Sequence, residues 1–354
     1  MSGKSIDPVG GFSCPLPITD YKNVLLAHGG GGRLSQQLIE RFFRAQFSNP
    51  YLDLLHDGAV FPVEEGRLAF STDSYVVHPL FFPGGCIGDL AVYGTVNDLA
   101  MCGATPLYLS AGFIIEEGLP MEDLWKVTLA MQEAAKAAGV QIVTGDTKVV
   151  DRGKGDGLFI NTAGVGVVPP GVAVGPRNAR PGDRVLLSGR IAEHGVAIMS
   201  VRNGLAFDTA IVSDTAPLNR LVASILSMPE PVHVLRDPTR GGVASALNEV
   251  AASSRVGMEL VEDLIPVAEE VRGACEILGL DPMYVANEGK LIAIVAPEHA
   301  ERILGHMRAH HAGADAVDIG EVVADHPGVV LMQTRIGGKR VVDMLSGEQL
   351  PRIC

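Results

Sequence analysis

Four aspartates stand at the edges of apolar segments in the first half of the chain: Asp73 in Ser71-Thr-Asp-Ser74, Asp89 in Gly88-Asp-Leu90, Asp98 in Asn97-Asp-Leu99 and Asp146 in Gly145-Asp-Thr147. Carboxylates gathered at strand ends and helix starts are how a protein holds Mg2+ bridged to nucleotide phosphates. Lys148, two residues past Asp146, adds weight to the reading of a metal site. Any one of these aspartates reads more readily as a cap or surface turn; four together point to a metal site. Asp89 and Asp98 do not share a face of one straight helix, because nine residues leave them about 180° apart. Asp89 fits a helix start instead.

Three further segments carry reactive groups. A glycine run ends in Gly30, Gly31, Gly32 and Arg33 before an amphipathic stretch. Its backbone N–H groups suit a phosphate at a helix N-terminus, although GxxxxGK[ST] is absent and a linker fits equally well. Asp237-Pro-Thr-Arg-Gly-Gly242 offers Arg240 as a second anion contact, or simply a helix capped by Thr239. Asn287-Glu-Gly-Lys290 offers Glu288 as a general base, or a β-turn with solvated charges. Cys354 is the last residue of the sequence, behind Pro351 on a stretch without periodicity. Read as a tether, nine extended residues reach roughly 30 Å; an incidental terminal residue is the plain alternative.

The elements that position these groups follow from periodicity. Helices are expected over 34–47, 87–101, 121–138, 194–202, 218–227, 242–252, 268–278 and 299–310, the third stopping at Gly139. Strands are expected over 68–77, 107–116, 141–150, 158–168, 184–187, 258–261, 290–295, 317–323 and 329–333. Strands sometimes follow one another without a helix, which favours mixed-sheet α+β domains. The Pro- and Gly-rich 169–181 marks the boundary. The expected organisation is a leader over 1–20, an N-terminal domain over 21–172, a C-terminal domain over 173–345 and a flexible tail over 346–354.

Composition narrows the function. The chain has 354 residues, 47% hydrophobic, enough for two cores. Its net charge of −13 and lack of a basic cluster disfavour nucleic acid and membrane surfaces as partners. No apolar run is long enough to span a bilayer, and the five scattered cysteines lack CxxC spacing. A reduced, cytoplasmic protein is expected.

The segments HGGGGRLS (28–35), STDSYVV (71–77), GGCIGDLAVYGTVNDLAMCGATP (84–106), GDTKVV (145–150), DPTRGGVA (237–244), NEGKL (287–291) and PRIC (351–354) together resemble one family. It is the HypE-type hydrogenase maturation factors, carbamoyl dehydratases within the PurM-like, aminoimidazole ribonucleotide synthetase superfamily. PRIC is the specific marker; most of the other segments are shared with ATP-using relatives. The resemblance implies a two-domain PurM-like fold whose N-terminal sheets pair across a homodimer into a barrel-like interface. It implies ATP and Mg2+ as cofactors. The phosphates would be bound by Gly30, Gly31, Gly32, Arg33 and Arg240, and the metal by Asp73, Asp89, Asp98 and Asp146. A HypF-type carbamoyltransferase would load carbamoyl onto Cys354. Glu288 and Lys148 would assist dehydration of that S-carboxamide to S-thiocyanate, and a HypC–HypD-type iron scaffold would take the cyano group. The competing readings are a synthetase or kinase acting on a free small molecule, and a non-catalytic scaffold that uses Cys354 as a contact.

Overall fold

The computed structural model describes residues 32–38, 40, 59–63, 66–205, 211–347 and 352–354. The expected leader, Gly30 and Gly31 lie outside the described residues.

The first domain is a five-stranded mixed sheet covered on one face by helices. Its strands are β1 (Ala59–Val63), β2 (Gly66–Tyr75), β5 (Thr105–Glu116), β6 (Gln141–Val150) and β7 (Leu158–Val168), in the order β1-β2-β7-β5-β6. A small hairpin, β3 (Phe81–Phe82) with β4 (Gly85–Cys86), precedes the main helix. Preceding the sheet is α1 (Arg33–Leu38); α2 (Ile87–Met101) and α3 (Met121–Ala138) cover it. Strands β5 and β6 run parallel, the other pairs antiparallel. Helix α2 is apolar almost all round, as its sequence IGDLAVYGTVNDLAM requires of a helix buried against a sheet. Ile87, Leu90 and Ala91 meet Tyr75 and Ile160 of the sheet and Val127 and Met131 of α3 in one core.

The second domain is a seven-stranded mixed sheet in the order β14-β13-β10-β12-β8-β11-β9. These strands are β8 (Arg184–Leu187), β9 (Val232–Arg236), β10 (Gly257–Val261), β11 (Ile292–Val295), β12 (Val317–Val323), β13 (Val330–Gln333) and β14 (Lys339–Val341). The helices are α4 (Glu193–Arg202), α5 (Asn219–Leu226), α6 (Gly242–Ser254), α7 (Glu269–Leu278) and α8 (Pro297–Arg308). Alternation along β8 and β11 sends Val185, Leu187, Ile292 and Ile294 to the α6 face. Leu186, Ala293 and Val295 go to the face of α5 and α8. Both faces are therefore apolar, which is why β11 reads as a continuous hydrophobic run.

Most expected elements are present within one or two residues, and the two-domain α+β architecture holds. Strands β1, β9 and β14 and the β3–β4 hairpin were not expected. The helix expected over 34–47 covers 33–38 among the described residues. Thr239 does not cap α6: the helix begins at Gly242 behind Gly241, both at positive φ (77° and 62°). A Cβ at Gly242 would lie 2.5 Å from the Met283 carbonyl oxygen, so the close approach demands glycine there. The five-stranded sheet is open among the described residues, with β1 and β6 as its edges and no closed barrel.

Candidate active site

The site forms where β2, the C-terminal half of α2 and two loops of the second domain converge. Along β2 the side chains of Ser71, Asp73 and Tyr75 share the face toward α2, because strand side chains alternate. Ser71 Oγ donates to Asp98 Oδ2 at 2.7 Å, bringing the strand and helix carboxylates into one place. Asn97, one residue earlier and buried, ties the domains together. Its Nδ2 donates to the carbonyls of Ala216 (3.1 Å) and Glu288 (3.3 Å), and its Oδ1 accepts from Leu218 N (2.8 Å). Asn97→Ala is expected to lower stability by roughly 2 kcal/mol or more, because several buried groups lose partners at once. Urea unfolding checks this; an unchanged midpoint contradicts it.

Glu288 is buried, contrary to the solvated-turn alternative. Its amide donates to Asp214 Oδ1 at 3.0 Å, and Asp214 in turn faces Lys290 Nζ at 3.5 Å. Gly289 lets the Asp214 segment close in: a Cβ there would overlap the Asp214 carbonyl oxygen. Glu288 Oε1 has no hydrogen-bond partner, an uncommon state for a buried carboxylate and one that marks a ligand position. Burial first, and then the charges of Asp73, Asp214 and Asp237, push its carboxyl well above the ordinary range, with Arg240 opposing. Asp98 is pushed well up by burial and by Asp237 and Asp73, with Ser71 and Arg240 opposing. Asp237 is also raised, chiefly by burial. Asp73, Asp98 and Glu288 thus act on one guanidinium, that of Arg240, an acid excess suited to a cation.

The last residues enter this site. Val76 N donates to the Cys354 carbonyl at 3.1 Å and His78 N to the Arg352 carbonyl at 3.3 Å. Ile353 is buried in the first-domain core. Arg352 donates through Nε to the Val76 carbonyl (3.0 Å), pairs with Asp156 and lies 5.9 Å from the Phe159 ring centre. The half-buried Cys354 thiol is raised well above its usual value by desolvation. Arg240 opposes that shift, while Glu288 and Asp73 add to it. Docked in this way it is a thiol and not a thiolate, which suits a carrier better than an attacking nucleophile. Burial also raises Cys86 to about 12 and Cys275 to about 11.

The structure therefore brings Asp73, Asp98, Arg240, Glu288 and Cys354 together. It places the other candidates elsewhere. Asp89 Oδ2 accepts from Cys86 N at 2.8 Å and closes the capping box of α2. Asp146 and Lys148 form an exposed ion pair of 2.9 Å on edge strand β6. Register explains why: Asp146 pairs with Gly112, Gly112 with Asn161 and Asn161 with Ser74. Asp146 therefore lies three strands, about 14 Å, from β2 and on the face opposite Asp73. Gly32 and Arg33 pack beside residues 343–345, with Arg33 N donating to the Leu345 carbonyl at 2.5 Å and Nη2 to Asp343 at 2.9 Å. Among the described residues no three acidic, His or Cys side chains form a ready metal cage. Asp214, Asn97 and His194 were missed, because their roles depend on contacts far away in sequence.

Two parts of the AIR synthase related protein family match this chain, the N-terminal domain over residues 55–168 and the C-terminal domain over 180–332. Carbamoyl dehydratase HypE of Azotobacter vinelandii is 58% identical over 337 residues, spanning 95% of this chain and 99% of that protein. Among solved structures, a HypE–HypF complex superposes with a TM-score of 0.83 at 50% identity, covering 87% of this chain and 99% of that one. Hydrogenase maturation protein HypE in complex with ATP superposes with a TM-score of 0.80 at 50% identity, covering 94% and 100%.

Proposed function

The chain belongs to the carbamoyl dehydratase HypE branch of the AIR synthase related family, and from that premise we propose that it dehydrates, with ATP, a carboxamide carried on its own Cys354 sulfur. The product is the S-thiocyanate that supplies cyanide ligands to [NiFe]-hydrogenase. The observation that supports this most directly is the docking of the chain end beside the strand that carries Asp73, where Val76 N donates to the Cys354 carbonyl at 3.1 Å.

The chemistry suits these groups. A carboxamide oxygen is a poor leaving group, so ATP phosphorylates it and an N–H proton is lost, giving the S-linked imidate phosphate and ADP. Loss of phosphate with the second N–H proton then leaves the nitrile. Glu288, with an unpaired Oε1 and a raised carboxyl, is placed to take an N–H proton. Arg240 is placed to steady negative charge on the phosphorylated oxygen. Two carboxylates, Asp73 and Asp98, would fit Mg2+ only with the nucleotide phosphates completing its shell, since the described residues offer no three-group cage. Asp73 and Asp98 would hold it, where it neutralises phosphate charge. Asp89, Asp146 and Lys148 would join the nucleotide site only with further rearrangement or with residues of a second subunit. Gly30, Gly31, Gly32 and Arg33 are the proposed phosphate loop. A HypF-type carbamoyltransferase loads the sulfur and a HypC–HypD-type scaffold receives the cyano group. Intact mass after carbamoylation and ATP addition tests the reaction: retention of the carbamoyl mass would refute it.

The working unit is a homodimer. The sheet face away from α2 leaves Phe70, Tyr108 and Ile114 exposed, and edge β6 leaves Ile142 and Val149 uncovered. A second copy laid against this face would close a barrel and cover the edge. Tyr108→Glu combined with Ile114→Glu is expected to give a monomer at micromolar concentration by light scattering. A dimeric mass for that variant would contradict the assignment.

A further inference from the structure

Nothing in the dehydration chemistry uses His194, yet it is fully buried and one of its ring nitrogens meets the tail. It sits in the first turn of α4. That turn hangs from the residue before Glu288: Asn287 Oδ1 accepts from Ala192 N at 2.7 Å, and Gly195 N donates to the Ala286 carbonyl at 3.1 Å. His194 Nδ1 lies 2.7 Å from Ser213 Oγ, and Nε2 lies 2.9 Å from the Ile353 carbonyl oxygen. Phe82 packs edge-on to the ring, with centres 5.6 Å apart.

The hydrogens in this chain can be assigned by elimination. The Ile353 carbonyl can only accept, so the ring hydrogen sits on Nε2 and is donated to it. In the neutral ring Nδ1 is then the acceptor, and Ser213 Oγ, which itself accepts from Thr215 N at 3.1 Å, donates to it. Burial, which lowers the affinity of the ring for a second proton, agrees with this neutral form.

We propose that the Ser213–His194 pair is a positioning latch for the substrate-bearing tail. It holds the peptide carbonyl of Ile353, one residue before the sulfur, and so sets where Cys354 stops relative to Glu288. Recognition through a main-chain carbonyl is indifferent to what the sulfur carries, so free thiol, carboxamide and thiocyanate can all dock in one register. The tail needs such a hold, since Arg352 adopts φ 52°, a conformation that a side-chain-bearing residue rarely takes unless contacts enforce it. Hanging the latch and Glu288 from adjacent residues, Asn287 and Glu288, keeps carrier and base in fixed relation.

The inference rests on Cys354 being the carrier, but its test needs no ATP. The full-length, uncarbamoylated protein is treated with N-ethylmaleimide, and the rate at Cys354 is followed by peptide mass. His194→Ala is expected to be alkylated about two- to tenfold faster than wild type, the range that one net hydrogen bond supplies. His194→Gln, whose amide N–H reaches the Nε2 position, is expected to return the rate toward that of wild type. A merely structural histidine would give no such rescue. Equal rates for His194→Ala and wild type overturn the latch, as does a Gln variant no slower than Ala. Should His194→Ala not fold, Ser213→Ala carries the test through the tautomer: faster alkylation supports the latch, and the wild-type rate overturns it. None of these outcomes bears on whether the carbamoylated protein loses water with ATP, so the two readings fail separately.

Discussion

Cys354→Ala is expected to fold, dimerise and bind ATP, and to yield no thiocyanate. The wild-type protein, carbamoylated and given ATP, should lose about 18 Da as one water leaves, because covalent carriage keeps the product on the chain. The variant should show neither the carbamoyl adduct nor the loss. The expectation follows from where the tail sits. Of the described cysteines only Cys354 faces Arg240, Glu288 and Asp73. Cys86 caps α2 through its sulfur, which accepts from Gly88 N at 3.3 Å, and Cys102 and Cys275 are buried. Tethering the carboxamide makes the reaction intramolecular, so the site need not bind a free substrate. Deletion of 351–354 should reproduce the loss. ATP-dependent loss of 18 Da from Cys354→Ala, or an adduct mapping to Cys86, Cys102 or Cys275, would end the carrier assignment.

Periodicity made the scaffold legible. Helices α2 and α3 and strands β6, β7, β8 and β12 have the bounds expected from the apolar pattern, since each is long or strongly patterned. Strand β9 was missed because five residues between Pro231 and Asp237-Pro238 look like a loop, although they pair with β11 at the sheet edge. The motifs of the site were also legible as types: an aspartate at a strand edge, an arginine before two glycines, a glutamate before a glycine. Their environments were not. Glu288 is buried because Asp214 closes over Gly289 and Asn97 holds its carbonyl, contacts 74 and 191 residues away. No local pattern contains such information. Helix geometry already set Asp89 apart as a helix-start residue, which its capping role bears out, whereas only β-register separates Asp146 from Asp73. The docking of 352–354 was hidden too, since a short stretch with Pro and Gly reads alike whether free or bound.

Glu288→Gln is expected to remove the reaction and to stabilise the protein, and the pairing of these effects identifies a functional carboxylate. Gln keeps the shape of Glu288 but cannot take a proton, so single-turnover dehydration should fall by about 10²- to 10⁴-fold, the usual worth of a positioned general base. The stability effect has a definite sign. Burial and the neighbouring acids hold the folded carboxyl above its unfolded value. The folded state therefore binds the proton more tightly, and ionising the group costs the fold. Below the unfolded value both states are protonated, and wild type and variant should melt at similar temperatures. As pH rises from that value through the raised folded value, wild type loses stability that the uncharged Gln does not. At neutral pH the variant should be more stable by roughly 1–3 kcal/mol, the cost of a poorly satisfied buried group. Bound Mg2+ and nucleotide would shrink this gap, because they supply the charge that the site lacks. Thermal melts from pH 4 to pH 8, with and without Mg-ATP, measure it. A pH-independent difference would show that Glu288 carries no unusual charge, and an unimpaired dehydration rate in the Gln variant would pass the role of base to another residue.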